Sequence, residues 1–496
     1  MIRLMEPTSY DLIVIGSGPA GESGSAAAAL FGKRVAMVEK SPLVGGASAN
    51  TGTLPSKTLR ESALAISGLK ARDLYGVDLS LRREATVAEF MYHERRVTAN
   101  ERKRVERNLS RNGVVLYHGA ASFVDPHTIR VVTEVPGHNA GHGHGGRHDH
   151  DHDHGPARTS ELRLRGEIIL IATGSGPVRP AEFPFNHPRV LDSDTILQLD
   201  RLPRSLAVVG AGVVGSEYAC TFAALGTEVW IVDGRDELLP FLDHEVSKAL
   251  EDSMHRQLGI EFLWKNRVVQ CEAHEYGDIT LEFDTGGRLC VDAVLVTAGR
   301  ASNTAALNLP AAGLEPGHRG LLTVDAHYRT SVPHIYAAGD VIGFPALAST
   351  SMEQARVAMC HAFHQTFKSD LAPLLPTGIY TIPEVSMVGT SEEDLQAQGV
   401  DYVVGRASYA HCARGEIIGD QSGFLKLIFR RDDMKLLGVH VMGEQASEIV
   451  HVGVVAMLAD ATAELFNRTC FNFPTLGDLY KIATYNALLK REQGTT

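Results

Sequence analysis

The feature that most constrains this chain is a glycine-rich turn between two short apolar runs near its start. Residues 10–15 (YDLIVI) are rich in branched side chains and predict a buried parallel strand. The turn 16–21 (GSGPAG) follows, then an alanine-rich helical stretch and a second apolar run, 34–38, which ends at Glu39. Strand, turn, helix, strand and acid in this order predict a dinucleotide-binding unit. An ordinary glycine-rich turn is the alternative, and the ordered context disfavours it.

Each glycine of this turn has a distinct expected task. Gly16 permits the tight turn, Gly18 lets the backbone approach a pyrophosphate, and Gly21 lets the helix pack closely on the strand. The start of the helix offers free N–H groups and the positive end of its dipole to the phosphates. The carboxylate at the end of the second strand can accept the hydroxyls of an adenosine ribose. The predicted nucleotide-binding residues are therefore Gly16, Gly18, Pro19, Ala20, Gly21 and Glu39.

A second unit of the same kind begins at residue 205. The run 205–209 (SLAVV) leads into the turn 210–215 (GAGVVG), and a later apolar run ends at Asp233. The corresponding nucleotide-binding residues are Gly210, Gly212, Gly215 and Asp233. A carboxylate at Asp233 favours NAD, because it accepts a 2′-hydroxyl and repels a 2′-phosphate. Arg235 could bind that phosphate, or it could be a solvent-facing cation, so both nucleotides stay open.

From the segment 45–57 (GGASANTGTLPSK) onward, the chain resembles the flavoprotein disulfide reductase family, which includes dihydrolipoamide dehydrogenase, glutathione reductase and mercuric reductase. The resemblance implies an α/β fold with two Rossmann-like dinucleotide-binding domains, for FAD and for NAD(P), plus a C-terminal α+β dimerisation domain. It also implies a resident FAD, an exchanging NAD or NADP, and a homodimer. The implied division is FAD-binding 1–177 and 299–372, NAD(P)-binding 178–298, and dimerisation 373–496.

The resemblance implies roles for residues in the family's other motifs. Asp340 would hold the ribityl chain of the flavin, and the helix beginning at Ala348 would direct its positive end towards the flavin. Lys57 and Glu217 would form an ion pair beside flavin N5 and act as the catalytic residues. The remaining cofactor-binding residues implied by these motifs are Thr173, Gly174, Gly299 and Gly339.

The redox machinery that gives the family its name is predicted to be missing here. Where the family carries two cysteines, this chain has Ser48 and Thr53, and neither hydroxyl can cycle between dithiol and disulfide. Where the family carries a histidine base near the end, this chain has Phe473, and an arene cannot move a proton. Asp478 stands in the position of the family's glutamate. We therefore expect flavin chemistry without disulfide chemistry.

Within the family, the chain resembles the soluble FAD-containing pyridine nucleotide transhydrogenases. The resemblance rests on 332–343, 377–384, 443–449, Thr53 and Phe473. The chain departs from that subgroup at Ser48 and in a His-rich insertion. The leading hypothesis is a ping-pong exchange, in which NADPH reduces FAD and leaves, and NAD then binds the same site and takes the hydride back. A reductase of quinones or other acceptors on the same scaffold is the alternative.

The His-rich insertion, 137–156, is of low complexity and is predicted to be a solvent loop inside a hairpin. Alternating His and Asp could chelate a divalent metal, and the weak candidate ligands are His148, His150, His152 and His154. The solvent-loop interpretation is favoured over a catalytic metal. A metal-binding protein on a relict flavoprotein scaffold is the remaining alternative.

Composition indicates which classes of partner and which cellular compartment to expect. A net charge of −12 argues against nucleic-acid binding. The six cysteines contain no CxxC pair, which indicates reduced thiols in a cytoplasmic protein. Neither a signal peptide nor a membrane-spanning apolar run is expected from the sequence.

Overall fold

A computed structural model describes residues 7–68, 87–135, 158–275 and 277–494. The chain divides into two compact units. The first is drawn from Met1–Leu54, Val97–Gly176 and Arg300–Leu371, and the second from Pro55–Arg96, Pro177–Gly299 and Ala372–Thr496. The four-segment division into domains stays a prediction. The His-rich insertion, with His148, His150, His152 and His154, lies outside the described residues.

The described residues form the following strands and α-helices, in chain order. The strands are β1 (Thr8–Ile15), β2 (Val35–Glu39), β3 (Val115–His118), β4 (Ala120–Asp125), β5 (Thr128–Val135), β6 (Arg158–Ile171), β7 (Ser175–Pro177), β8 (Val190–Asp192), β9 (Ser205–Val209), β10 (Glu228–Asp233), β11 (Glu261–Trp264), β12 (Val268–Glu272), β13 (Ile279–Phe283), β14 (Arg288–Val291), β15 (Ala293–Val296), β16 (Arg300–Ser302), β17 (Ile335–Ala337), β18 (Thr377–Ile379), β19 (Val385–Gly389), β20 (Tyr402–Ser408), β21 (Phe424–Arg430) and β22 (Leu436–Met442). The helices are α1 (Pro19–Leu30), α2 (Gly46–Asn50), α3 (Thr53–Ser67), α4 (Val87–Arg111), α5 (Val213–Ala224), α6 (His244–Leu258), α7 (Ala348–Ala362), α8 (Glu392–Gln398), α9 (Ala413–Ile418), α10 (Ala446–Leu458), α11 (Ala463–Arg468) and α12 (Leu479–Gln493).

The first unit is built on a seven-stranded sheet in the order β3-β2-β1-β6-β5-β4, with β17 also paired with β6. Strand β1 runs parallel to both β2 and β6, and its residues Leu12, Ile13 and Val14 are fully buried. A strand covered on both faces needs apolar side chains on both, which is why its sequence is continuously apolar. Helix α1 packs against α7 and buries mostly glycine, alanine and serine.

The second unit contains a five-stranded sheet in the order β11-β10-β9-β15-β8. Every pairing in this sheet is parallel, so the carboxyl ends of its strands share one edge. An antiparallel meander of β12, β13 and β14 lies between β11 and β15 in the chain. This arrangement places the turn after β9 and the acid at the end of β10 at the same edge of the sheet.

The C-terminal part of the second unit has a different architecture. Its five strands are antiparallel, in the order β18-β19-β22-β21-β20. Helix α12 packs on β20 at Gly405, where an added Cβ would lie 2.0 Å from the carbonyl oxygen of Ala483. Glycine at this position therefore lets the helix approach the sheet. Among the described residues, no helix combines the length and the apolar character needed to cross a membrane.

Candidate dinucleotide-binding sites

In the turn after β1, the first and third glycines have no room for a side chain, whereas the second glycine has free space beside it. Gly16 has a φ of +104°, and an added Cβ there would lie 2.4 Å from the carbonyl oxygen of Ala172. A Cβ at Gly21 would lie 1.9 Å from the carbonyl oxygen of Gly16. At Gly18 the nearest neighbour of such a Cβ is the Cα of Gly46, at 3.8 Å. The turn therefore leaves room where a pyrophosphate would approach the backbone.

Helix α1 begins in a way that suits an anion. Its N-cap is Gly18, which has no side chain to accept a hydrogen bond from the first turn, and Pro19 is the first helical residue. The first-turn N–H groups, including that of Ala20, remain free of a side-chain cap. This is the arrangement that holds phosphates at helix N-termini.

Glu39 is 6% exposed and already holds the turn together. Its Oε2 accepts hydrogen bonds from Ser17 N–H at 2.9 Å and from Ser17 Oγ at 2.7 Å, and its Oε1 accepts one from Ser41 N–H at 2.8 Å. A carboxylate has about four acceptor sites, so capacity for a ribose hydroxyl remains. Glu39 therefore stabilises the glycine-rich turn, in addition to the ribose-binding role predicted for it.

Other motif residues of the first unit fit a bound dinucleotide. Thr173 Oγ1 is buried and has no hydrogen-bond partner among the described residues, which suits a site that a ligand completes. Asp340 Oδ2 accepts a hydrogen bond from Ser175 Oγ at 2.7 Å. Ala348 is the first residue of α7, which also lacks a side-chain cap. Gly174 and Gly339 both have positive φ angles, at turns beside these residues.

The turn after β9 repeats the pattern of the first turn. Gly210 has a φ of +113°, and an added Cβ there would lie 2.7 Å from the carbonyl oxygen of Thr297. A Cβ at Gly215 would lie 2.1 Å from the carbonyl oxygen of Gly210, whereas a Cβ at Gly212 would meet nothing within 4 Å. Gly212 is also the uncapped N-cap of α5. Gly299, with a φ of +102°, follows β15.

Asp233 and Arg235 are joined at the end of β10. Arg235 donates to Asp233 Oδ1 from Nε at 2.9 Å and to Oδ2 from Nη2 at 2.7 Å. Ala211 N–H, in the glycine-rich turn, donates to Asp233 Oδ2 at 2.7 Å. Burial alone would raise the pKa of Asp233, but the hydrogen bonds from Arg235 and Ala211 lower it to about 2. Asp233 is therefore a carboxylate at neutral pH.

Lys57 and Glu217 form a close ion pair within the second unit. Lys57 Nζ lies 2.6 Å from Glu217 Oε2 and 2.8 Å from Oε1. The Glu217 side chain is 7% exposed and the Lys57 side chain 27%. Tyr380 completes the group, because its N–H donates to Glu217 Oε1 at 3.0 Å and its ring centroid lies 4.8 Å from Lys57 Nζ. The cation is held in one place by a buried carboxylate and an aromatic face.

The segment that carries Tyr380 is anchored by residues to which the sequence assigned no role. Arg60, on α3, donates from Nε to the carbonyl oxygen of Thr381 at 3.0 Å and lies 3.6 Å from Glu384. Cys220 Sγ lies 3.8 Å from the carbonyl oxygen of Ile382. The residues of 377–384 were recognisable in the sequence as a family motif. No local sequence pattern indicates that Arg60 and Cys220 contact this segment.

The residues at the family's thiol and base positions are Ser48, Thr53 and Phe473. Ser48 is half-buried in α2, and Thr53 is exposed at the start of α3. Phe473 is 77% exposed. All six cysteines are free. In the described ranges no cluster of three or more His, Cys, Asp or Glu side chains is arranged to hold a metal ion.

Comparison with known sequences gives the same family along nearly the whole chain. Residues 10–362 match the family described as pyridine nucleotide-disulphide oxidoreductase, and residues 375–483 match its dimerisation domain. A soluble pyridine nucleotide transhydrogenase of Mycobacterium tuberculosis (strain ATCC 25177 / H37Ra) is 43% identical over 481 residues, which cover 97% of each chain. That of Chromohalobacter salexigens is 41% identical over 484 residues, 97% of this chain and 98% of the relative.

Solved structures agree with the fold. LpdA from Mycobacterium tuberculosis matches with a TM-score of 0.83 and 25% identity, and covers 96% of this chain and 99% of its own. The HOCl-induced flavoprotein disulfide reductase RclA from Escherichia coli matches with a TM-score of 0.82, at the same identity and coverage. The α/β fold class predicted from the sequence is confirmed by these matches.

Proposed function

The chain belongs to the pyridine nucleotide-disulphide oxidoreductase family, and from this we propose that it is an FAD-dependent enzyme that exchanges hydride between NADPH and NAD without disulfide chemistry. The full-length similarity to soluble pyridine nucleotide transhydrogenases supports this reaction. The observation that carries the disulfide-free part is the pair Ser48 and Thr53, which stand where the family's redox cysteines are expected. Hydroxyl side chains cannot take electrons from the flavin as a disulfide would, so in this proposal the electron acceptor is the second nicotinamide.

The first unit supplies the residues that would hold FAD. Gly16, Gly18 and Gly21 shape the phosphate turn, Glu39 faces the adenosine ribose, and Asp340 takes the ribityl chain. The other residues of this site are Pro19, Ala20, Thr173, Gly174, Gly339 and Ala348. FAD, when bound, supplies a two-electron redox centre that one nicotinamide dinucleotide can reduce and another can oxidise.

Lys57 and Glu217 have an electrostatic role in this proposal: Glu217 fixes the position of the positive charge on Lys57. Glu217 accepts two of the three N–H groups of the Lys57 ammonium, and Lys57 Nζ also donates to Ser56 Oγ at 3.4 Å, so the position of the positive charge is fixed. A fixed cation stabilises negative charge that develops next to it without reorganisation during the reaction. The Tyr380 ring covers part of the ammonium and limits its access to water.

The second unit supplies the site for the exchanging nucleotide. Gly210, Gly212 and Gly215 receive the pyrophosphate at the start of α5, and Asp233 and Arg235 face the adenosine ribose. Gly299, which follows β15, lies at the junction between the NAD(P) segment and the second FAD segment of the chain. In this proposal residues 1–177 and 299–372 make the FAD domain, 178–298 the NAD(P) domain and 373–496 the dimerisation domain.

A cytoplasmic homodimer is part of the same proposal. Helix α10, within the matched dimerisation domain, exposes Val452 by 38%, Val455 by 67% and Leu458 by 52%. Apolar side chains at this spacing form one helix face that a second copy can cover. The free cysteines are compatible with a reducing compartment.

The test of the disulfide-free reaction is the double variant Ser48→Ala, Thr53→Ala. Because neither hydroxyl takes part in the proposed chemistry, steady-state transfer from NADPH to a thio-analogue of NAD should keep the kcat and KM of the unmodified protein. The matched control is Ser110→Ala with Thr366→Ala, at two exposed hydroxyls outside the site. A collapse of kcat in the double variant, with FAD content and melting temperature unchanged, would contradict the proposal.

A further inference from the structure

The turn after β11 lies alongside the loop that follows Asp233. Strands β10 and β11 are parallel neighbours with Asp233 opposite Trp264. Lys265 N–H donates to the carbonyl oxygen of Arg235 at 2.9 Å, and Asn266 N–H donates to that of Asp233 at 3.2 Å. Residues 265–267 therefore share the carboxyl edge of the sheet, where the ribose of a bound dinucleotide lies in folds of this kind.

The carboxylate of Asp233 is fully engaged in this arrangement. Its Oδ1 accepts from Arg235 N–H and Arg235 Nε, each at 2.9 Å. Its Oδ2 accepts from Arg235 Nη2 and from Ala211 N–H, each at 2.7 Å. Because a carboxylate has about four acceptor sites, a ribose 2′-hydroxyl can donate to Asp233 only by displacing the guanidinium of Arg235. Arg235 is thus committed to Asp233 and is not a free ligand for phosphate.

Arg267 also lies at this edge, and unlike Arg235 its guanidinium forms no ion pair with the described residues. Its side chain lies across Gly234, since an added Cβ at Gly234 would be 2.7 Å from Arg267 Nε and 3.0 Å from its Cγ. The guanidinium is exposed and makes no hydrogen bond or ion pair with the described residues. Asp284 accepts only the backbone N–H of Arg267, at 2.9 Å. The neighbouring Lys265 is paired with Asp236 at 3.2 Å.

We infer that Arg267 binds the 2′-phosphate of NADPH and is the residue that lets one site accept both nucleotides. The inference rests on the function proposed above. The Asp233–Arg235 pair has no net charge, so it neither attracts nor strongly repels a phosphate. A free guanidinium adjoining that pair offers a forked set of donors that matches phosphate oxygens. NADH would use Asp233, and NADPH would use Arg267.

Gly234 is part of the same proposed 2′-phosphate site. It directly follows Asp233, and the absence of a side chain there is what allows Arg267 to lie beside the pair. Gly234→Ala keeps every charge but pushes the flexible Arg267 side chain away. This variant separates the position of the guanidinium from its presence.

The experiment measures binding alone, by calorimetry on the FAD-loaded protein, with adenosine 2′,5′-bisphosphate and 5′-AMP as probes. Arg267→Leu should weaken the bisphosphate by about 10- to 100-fold, the usual worth of a charge-assisted hydrogen-bonded contact, and leave 5′-AMP unchanged. Gly234→Ala should weaken the bisphosphate to a lesser extent. Arg256→Leu is the matched control, because it removes an exposed guanidinium from α6 that pairs with Asp252.

The outcomes separate this inference from the function beneath it. If Arg267→Leu binds the bisphosphate as tightly as the unmodified protein, Arg267 is not the ligand and the inference is overturned. If hydride exchange persists in that case, only the inference falls. If the unmodified protein binds neither probe, the nucleotide site itself is wrong and the proposed function falls with it. Kinetically, Arg267→Leu should raise the KM for NADPH and leave that for NADH unchanged.

Discussion

At the scale of single residues, Lys57 shows what a motif can and cannot reveal. Its resemblance to a family position paired it with Glu217, and the structure places Lys57 Nζ 2.6 Å from Glu217 Oε2. The sequence did not reveal that Tyr380 donates to Glu217 across 163 residues of chain. It also did not reveal that Arg235 occupies the carboxylate of Asp233. Such contacts depend on side-chain directions that only the folded backbone fixes.

Removing the Lys57 charge should reduce the chemical step more than nucleotide binding. We expect Lys57→Met to lower the rate constant for flavin reduction by NADPH by about 10²-fold, the usual cost of losing one preorganised charged contact in an active site. The dissociation constant of 5′-AMP should not change, because Lys57 is not part of the glycine-rich turn. Stopped-flow reduction of the flavin by NADPH measures the effect.

The control for this prediction is Lys248→Met, which removes an exposed lysine on α6 paired with Asp252 at 3.0 Å. Exposed pairs of this kind contribute little to stability. Equal rates in Lys57→Met and Lys248→Met would show that the ion pair is structural only.

At the scale of elements, the two strand–turn–helix–strand units were predictable because their signal is local. Glycine spacing, apolar runs and the closing acid all lie within one short stretch of chain, and β1, α1 and β2 form where those patterns indicate. Strand β6 was harder. It pairs antiparallel with β5, the strand before it, over its first part, and parallel with the distant strands β1 and β17 over its last part. No local pattern specifies such a register.

The two glycine-rich turns give a prediction that separates the two nucleotides. In Gly21→Ala the new Cβ would collide with the carbonyl oxygen of Gly16, so α1 must move and bound FAD should be lost. In Gly215→Ala the equivalent collision is with Gly210, so FAD should stay and 5′-AMP binding should fall. The flavin-to-protein absorbance ratio and calorimetry measure these effects.

Each of these variants is the other's matched control, since both add one methyl group at the same place in a similar turn. Loss of FAD from Gly215→Ala with FAD retained in Gly21→Ala would reverse the assignment of the two sites. Equal loss of FAD from both would mean that the turns do not serve separate nucleotides.

At the scale of the whole molecule, the family and the fold class followed from the sequence, and long-range charge networks did not. Lys426 is 1% exposed, and its Nζ lies 2.7 Å from Asp243 and 2.9 Å from Glu245. Burial would lower the pKa of Lys426, but these carboxylates raise it, so the ammonium stays charged. A lysine inside the apolar strand β21 gave no sign of a partner at Asp243, the N-cap of α6, 183 residues earlier in the chain.

The measurement that tests the central claim most directly is an anaerobic one on the purified flavoprotein. NADPH is added until the flavin absorbance band is lost, the product nucleotide is removed, and NAD is then added. If this chain exchanges hydride between nicotinamides, the oxidised flavin spectrum returns as NADH appears in equal amount. If NAD leaves the flavin reduced while a quinone restores its spectrum, the acceptor is not a nicotinamide and the transhydrogenase account is wrong.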